Sequence, residues 1–200
     1  MELGSTRREV WWLTDHGRYH QCSVLKNRDS GFSWGIINVY GPVQLDLKPD
    51  FLRELMEVIM SMEVPLIVGG DFNLVREAAE KSTGNVNDSL VQLFNHFIDD
   101  VSLREMHRQG GSFTWTNKQE IPIMAVLDRV FVSNDWEGRF PLATTRSLTR
   151  VGSNHNPLLV ETESEVLDLP YLELSLLGFP RKALWSGLLT NGLGEGNKIF

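Results

Sequence analysis

The short run Pro65-Leu66-Ile67-Val68-Gly69 is apolar throughout and ends in glycine, and it lies between two stretches of helical periodicity. A strand with no polar alternation has to be covered on both faces, which commits the chain to a layered α/β arrangement. On its N-terminal side, Phe51, Leu55 and Ile59 recur every four residues with Leu52 and Met56 beside them, predicting an amphipathic helix over Lys48 to Met62. On its C-terminal side, Leu90, Leu93, Phe94, Phe97 and Val101 share a face, predicting a second helix over Asp88 to Met106. Strand-like runs precede these at Val10 to Leu13, Tyr19 to Leu25 and Trp34 to Tyr40, and follow at Ser112 to Thr116, Val126 to Ser133, Thr144 to Val151 and Pro157 to Glu161. Several are hairpin-spaced, so a mixed sheet fits better than a wholly parallel one. The 200 residues, 42% hydrophobic, suffice for one core. The domain is expected to span 1–161. Residues 162–200 combine a leucine-rich stretch without a period and a glycine-rich stretch, which predicts a poorly packed tail.

Charge narrows the function classes. There are 26 acidic against 19 basic residues, a formal net charge of -7, which opposes holding duplex nucleic acid by bulk electrostatics. It leaves a carboxylate site built around a divalent cation open, since such a site is acidic before the ion arrives. The single cysteine, Cys22, has no internal disulfide partner, and no Cys/His cluster has zinc-ligand spacing. No transmembrane run or secretory signal is legible, which predicts an intracellular location.

Five strings carry chemically useful residues. Gly69-Gly70-Asp71-Phe72-Asn73 follows the buried run; if extended, it turns Asp71 and Asn73 to one side, where one takes a proton and the other donates to an oxyanion. The plainer reading is a turn in which Asp71 bonds its own backbone. Leu127-Asp128-Arg129-Val130 sets an acid and a base on an apolar strand. Asp128 could orient an imidazole, or the two could simply make structural pairs on opposite faces. His155, in Ser153-Asn154-His155-Asn156-Pro157, sits at a strand entrance where it could contact a phosphate, although a lone turn histidine is commonly structural. Asn38-Val39-Tyr40-Gly41-Pro42 ends a strand with a phenol that could touch phosphate or merely cap the core. Phe113-Thr114-Trp115-Thr116-Asn117 could stack a base through Trp115 or form an edge strand. His16, His20, His96 and His107 sit in no polar cluster of sequence and read as surface or half-buried residues.

Taken in order along one chain, these strings resemble the endonuclease/exonuclease/phosphatase superfamily, and Thr-Trp-Thr-Asn with Ser133-Asn134-Asp135-Trp136 resembles the endonuclease of plant LINE-type retrotransposons. The resemblance covers roughly residues 10 to 160. It implies a four-layer αββα sandwich of two mixed sheets with a site at one end. It also implies hydrolysis of a DNA phosphodiester with one Mg2+ or Mn2+ and an activated water. Carried over by motif, Asp71 would orient or deprotonate the water, Asn73 would steady transition-state oxygens, His155 would bond a phosphate oxygen, Asp128 would hold His155, and Tyr40 and Trp115 would meet the substrate.

Two departures qualify that expectation. Asn154 stands where the family motif has an aspartate, removing a charge near the implied cation. The family's opening strands, with a metal-ligating glutamate, have no counterpart before Glu9, so the metal ligands are left unassigned and activity is expected to be impaired. Missing strands would also expose apolar surface around Trp11, Trp12 and Ile36. A non-catalytic remnant of the fold and a phosphatase of the same superfamily are the alternatives. A retroelement endonuclease would act in the nucleus.

Overall fold

The structure is a computed structural model that describes residues 9–27, 30–162 and 172–174, with side chains at 15–26 and 30–162. Twelve strands and three α-helices are described: β1 (Glu9–His16), β2 (His20–Asn27), β3 (Ser33–Tyr40), α1 (Lys48–Ser61), β4 (Leu66–Asp71), α2 (Asp88–Asp100), β5 (Arg104–Glu105), β6 (Arg108–Gln109), β7 (Trp115–Thr116), β8 (Met124–Ala125), β9 (Asp128–Val132), α3 (Asn134–Arg139), β10 (Thr144–Ser147), β11 (Leu158–Glu161) and β12 (Leu172–Leu174). Six strands form one sheet in the order β1-β2-β3-β4-β9-β5, four form a second in the order β12-β11-β10-β6, and β7 pairs with β8. Both larger sheets are mixed. β3 and β4 are parallel within an otherwise antiparallel sheet, and β6 and β10 are parallel beside the antiparallel β10-β11-β12.

Every residue of β4 is buried, as its composition demands. Leu66 and Val68 join a core with Phe51, Leu55 and Ile59 of α1 and Phe94, Phe97 and Ile98 of α2. Ile67 points the other way, into a core shared with Trp34, Ile36, Val130, Val132, Leu158 and Val160. That second core joins strands of both sheets, so the sheets pack face to face with α1 and α2 outside the larger one. Three of the four implied layers are therefore built by the described residues. α3 places Trp136 in the inter-sheet core instead of covering a face.

The period-based boundaries differ from the structure in instructive places. α2 stops at Asp100, Ser102 adopts a left-handed φ of 52°, and β5 pairs with β9 where helix was expected through Met106. Val101 and Leu103 stay buried on the same core, so apolar spacing persists although the helix has ended. The strand expected over Ser112 to Thr116 is reduced to β7, and the one over Thr144 to Val151 to β10. Ile36 is 2% exposed, which corrects the expectation of apolar surface there; the Trp11 and Trp12 side chains lie outside the described residues. Most of 162–200 lies outside them too, but β12 pairs with β11, so the second sheet continues past Glu161. No helix among the described residues is long and apolar enough to cross a membrane.

β3 and β4 approach closely at Val39 and Gly70. Gly70 has a φ of 148°, and a Cβ there would lie 2.0 Å from the Val39 carbonyl oxygen. Neither backbone can yield, because β4 is held by β3 on one side and β9 on the other. Gly70→Ala is expected to cost roughly 3 kcal/mol or more in urea unfolding. A loss below about 1 kcal/mol, within the ordinary run of substitutions, would contradict that packing.

Candidate active site

Three neighbouring strands end in a row. Tyr40 at the end of β3 pairs with Asp71 at the end of the parallel β4, and Asp71 pairs with Asp128 at the start of β9. Strand ends next to a parallel crossover are where side chains can converge outside a sheet. Alternation along β9 puts Asp128 on the inter-sheet face with Val130 and Val132, while Arg129 faces the helices under Phe94. Asp128 and Arg129 therefore face opposite sides of the sheet. Arg129 is 3% exposed and bonds Glu105 at 2.6 Å and Glu80, tying β9 to β5 and to the short 3-10 turn Ala78–Glu80.

The second sheet supplies the histidine. His155 lies in the turn before β11, where its backbone bridges Trp115 and its N–H donates to Ser153 Oγ at 3.0 Å. The next N–H, that of Asn156, donates to the Thr114 carbonyl at 2.7 Å. His155 Nδ1 sits 3.0 Å and 3.1 Å from the two Asp128 oxygens, leaving Nε2 3.9 Å from Asp71 Oδ2. Asp71, Asp128 and His155 thus meet from two sheets, each offering a ligand atom within 4.8 Å of the others.

Asn73 joins them by a different route from the extended one considered above. Its φ is 51°, a left-handed turn, and its N–H donates to Asp71 Oδ1 at 2.9 Å. The carboxamide then folds back, with Nδ2 donating to Asp71 Oδ2 at 2.7 Å and to the Gly41 carbonyl at 3.0 Å. Both N–H bonds of that amide are committed, so in this conformation Asn73 orients Asp71 and offers only Oδ1 outward. Tyr40 is 43% exposed at the mouth, and Trp115 is half-buried beside His155. Asn154 is exposed and bonds through its backbone carbonyl to the Thr116 N–H at 3.0 Å.

Three contributors escaped the sequence reading. Thr114 Oγ1 accepts the N–H groups of Leu127 and Asp128 at 2.9 and 3.0 Å, fixing the start of β9. Lys48, the first residue of α1, is 3% exposed and donates to the carbonyls of Pro42 and Asn73. Asn38, two residues before Tyr40 and so on its face of β3, holds a buried Oδ1 with no hydrogen-bond partner. By contrast His20, expected to be peripheral, is buried and bonds Glu54 at 2.9 Å under the β1-β2 turn.

The electrostatics call for positive charge. Burial, then the nearby Asp128 carboxylate, push the Asp71 carboxyl up to about 7, against the opposing pull of His155, the Asn73 N–H and Lys48. Burial alone would lower His155, but its hydrogen bond to Asp128 and the charges of Asp128 and Asp71 outweigh it and raise the imidazole. Burial also lowers Lys48 to about 8 in spite of the attraction of Asp71. Two buried carboxylates and one imidazole gather donor atoms that could hold a metal ion.

The sequence pattern of the family described as Endonuclease-reverse transcriptase matches residues 34–159, well over half of the chain. The chain belongs to that family. It lies within the endonuclease/exonuclease/phosphatase superfamily and is LINE-like, as its ordered strings had implied. A curated relative, the "Transposon TX1 uncharacterized 149 kDa protein" of Xenopus laevis, is 29% identical over 130 residues, covering 61% of this chain and 10% of that protein. Among solved structures, the endonuclease domain of TRAS1, a telomere-specific non-LTR retrotransposon, aligns with a TM-score of 0.57 and 17% identity over 72% of this chain and 64% of that one. A beta toxin mutant from Staphylococcus aureus with bound magnesium ions aligns with a TM-score of 0.51 and 12% identity, covering 72% and 58%. At such identities these structures establish the shared fold. The chain spans a tenth of the TX1 protein and under two thirds of the TRAS1 domain.

The raised groups make a signed prediction. Below about pH 4 the Asp71 carboxyl is protonated in folded and unfolded chains alike and costs nothing; as pH climbs toward about 7 only the unfolded chain readily loses the proton, so stability falls. His155 stabilises the fold below about 6.5, and this is lost as pH rises through its higher folded value. Both slopes run the same way. In EDTA, thermal stability should decline from pH 5 to pH 8, and Asp71→Asn should flatten the decline and exceed the unaltered chain at pH 8. Parallel curves for the two proteins would contradict this charge arrangement.

Proposed function

We propose that this chain is a metal-dependent phosphodiester hydrolase of the DNA endonuclease type, derived from a LINE-type retroelement and reduced in activity. The observation that carries the reading is the meeting of Asp71, Asp128 and His155 from two sheets within 4.8 Å. Asp71, with a proton affinity near neutrality, takes a proton from the attacking water. The water oxygen forms its bond to phosphorus as the bond to the leaving sugar oxygen breaks. His155 donates from Nε2 to a non-bridging phosphate oxygen, while Asp128 holds Nδ1 and with it the ring orientation. Asn73 fixes the Asp71 carboxylate, and Tyr40 and Trp115 line the substrate approach. One Mg2+ or Mn2+ held beside this cluster, with Asp71 left free as the base, would supply Lewis-acid stabilisation of the phosphate charge.

DNA as substrate gains support from two cations beside the site. Arg150, on the loop that carries His155, donates to the Asn154 carbonyl at 3.3 Å, and Lys118, from the β7-β8 loop, reaches the same loop through Nζ, which donates to the Gly152 carbonyl at 2.9 Å. They offset locally the net charge of -7. Reduced activity is inferred from Asn154, which brings no negative charge to the cation.

Nicking of supercoiled plasmid tests this reading. Slow cleavage is expected in Mg2+, close to background, abolished by EDTA and by Asp71→Ala. Asn154→Asp is expected to raise the rate, by up to the ~10²-fold that a preorganised electrostatic group contributes. Cleavage indifferent to EDTA and to Asp71→Ala, or no cleavage by either the unaltered chain or Asn154→Asp, would favour the non-catalytic remnant.

A further inference from the structure

Lys48 breaks three preferences together. It opens α1, where the helix dipole favours an acid. It is 3% exposed, although lysine is almost never fully buried unless paired. Its ammonium is held by two backbone carbonyls, Pro42 at 3.1 Å and Asn73 at 2.5 Å, where a carboxylate partner would be expected. Local rules broken in concert are expected at sites where position matters more than stability.

The two carbonyls explain what is positioned. Pro42 follows Gly41, whose carbonyl accepts one Asn73 Nδ2–H, and Tyr40 lies just before them. Asn73 is the residue in the left-handed conformation, and its side chain delivers the other Nδ2–H to Asp71. A cation bonded to both carbonyls fastens the β3-α1 loop to the turn after β4. We propose that Lys48 is a positioning residue: its buried ammonium clamps Pro42 to Asn73 and so sets the Asn73 carboxamide against Asp71. The catalytic meaning of this clamp rests on the proposed hydrolase reading, whereas the clamp itself does not. Its charge also lies close enough to oppose the rise in Asp71.

The test compares Lys48→Met, which keeps the apolar stem and removes the donors, with Leu55→Ala, which weakens the same helix without touching Asn73. The readout is hydrogen exchange of the Asn73 side-chain amide by NMR in full-length protein without added metal. Lys48→Met should accelerate that exchange roughly tenfold or more, as expected for loss of about one hydrogen bond's worth of restraint. Leu55→Ala should leave it within about twofold when both are read under strongly folding conditions. Equal acceleration in both variants, or none in Lys48→Met, would overturn the clamp. If Lys48→Met fails to fold, the unaltered protein decides: a doubly bonded, buried ammonium should give a slowly exchanging 15N signal, unlike exposed Lys118, and an ammonium exchanging as fast as that of Lys118 would overturn the proposal. In nicking assays Lys48→Met should lower kcat with KM little changed. Absence of nicking by the unaltered chain counts against the hydrolase reading, while the Asn73 amide still judges the clamp.

Discussion

β4 is squeezed between two cores, and the rest of the molecule is arranged around that constraint. Leu66 and Val68 face the helices, Ile67 faces the second sheet, and Gly70 leaves no side chain where the Val39 backbone closes in. A strand confined in this way has one direction and one end, and Asp71 stands at that end. Its burial follows from the packing, not from any attraction, which is why its carboxyl is driven up to about 7. The fold thus places an unfavourable charge where it can be used, and the surrounding groups moderate the cost.

Those groups arrive from separate parts of the chain. Asp128 comes from the adjacent strand, His155 from the other sheet, Asn73 from the turn after Asp71, and Lys48 from the start of α1. Each holds another, so the site is a closed set of mutual restraints: Thr114 fixes Asp128, Asp128 fixes His155, and Lys48 fixes Asn73. Preorganisation of this sort is what electrostatic catalysis requires of a protein. The cluster demands positive charge locally whatever the net balance of the chain.

Much of this was legible in the sequence because it depended on local pattern. The apolar run at Leu66 to Val68 and the periodicity of α1 followed from chemistry within a few residues, whereas the Gly-Asp-Phe-Asn, Asp-Arg and Asn-His strings pointed to a site only through their order along the chain, by its resemblance to the superfamily. What was hidden depended on distant partners. Nothing near Lys48 in sequence shows that its ammonium reaches Asn73, and nothing near Thr114 shows that it caps β9. The end of α2 was missed for the same reason: Val101 and Leu103 keep contact with the core after the helix ends, so the pattern outlasts the geometry. Asn73 departed from extended backbone because Asp71 accepts its N–H, a competition between turn and strand that spacing alone leaves open.

The central claim is that Asp71, Asp128 and His155 meet in one cluster where the two sheets join and that a divalent cation binds beside it. Titration with Mn2+, followed through the histidine ring signals by NMR, tests it most directly, because a paramagnetic ion broadens the resonances beside it. The account predicts that His155 broadens first, ahead of exposed His96 on α2, and that Asp71→Asn removes this preference. Uniform broadening of all the histidines, or a His155 signal that stays sharp while others fade, would contradict it.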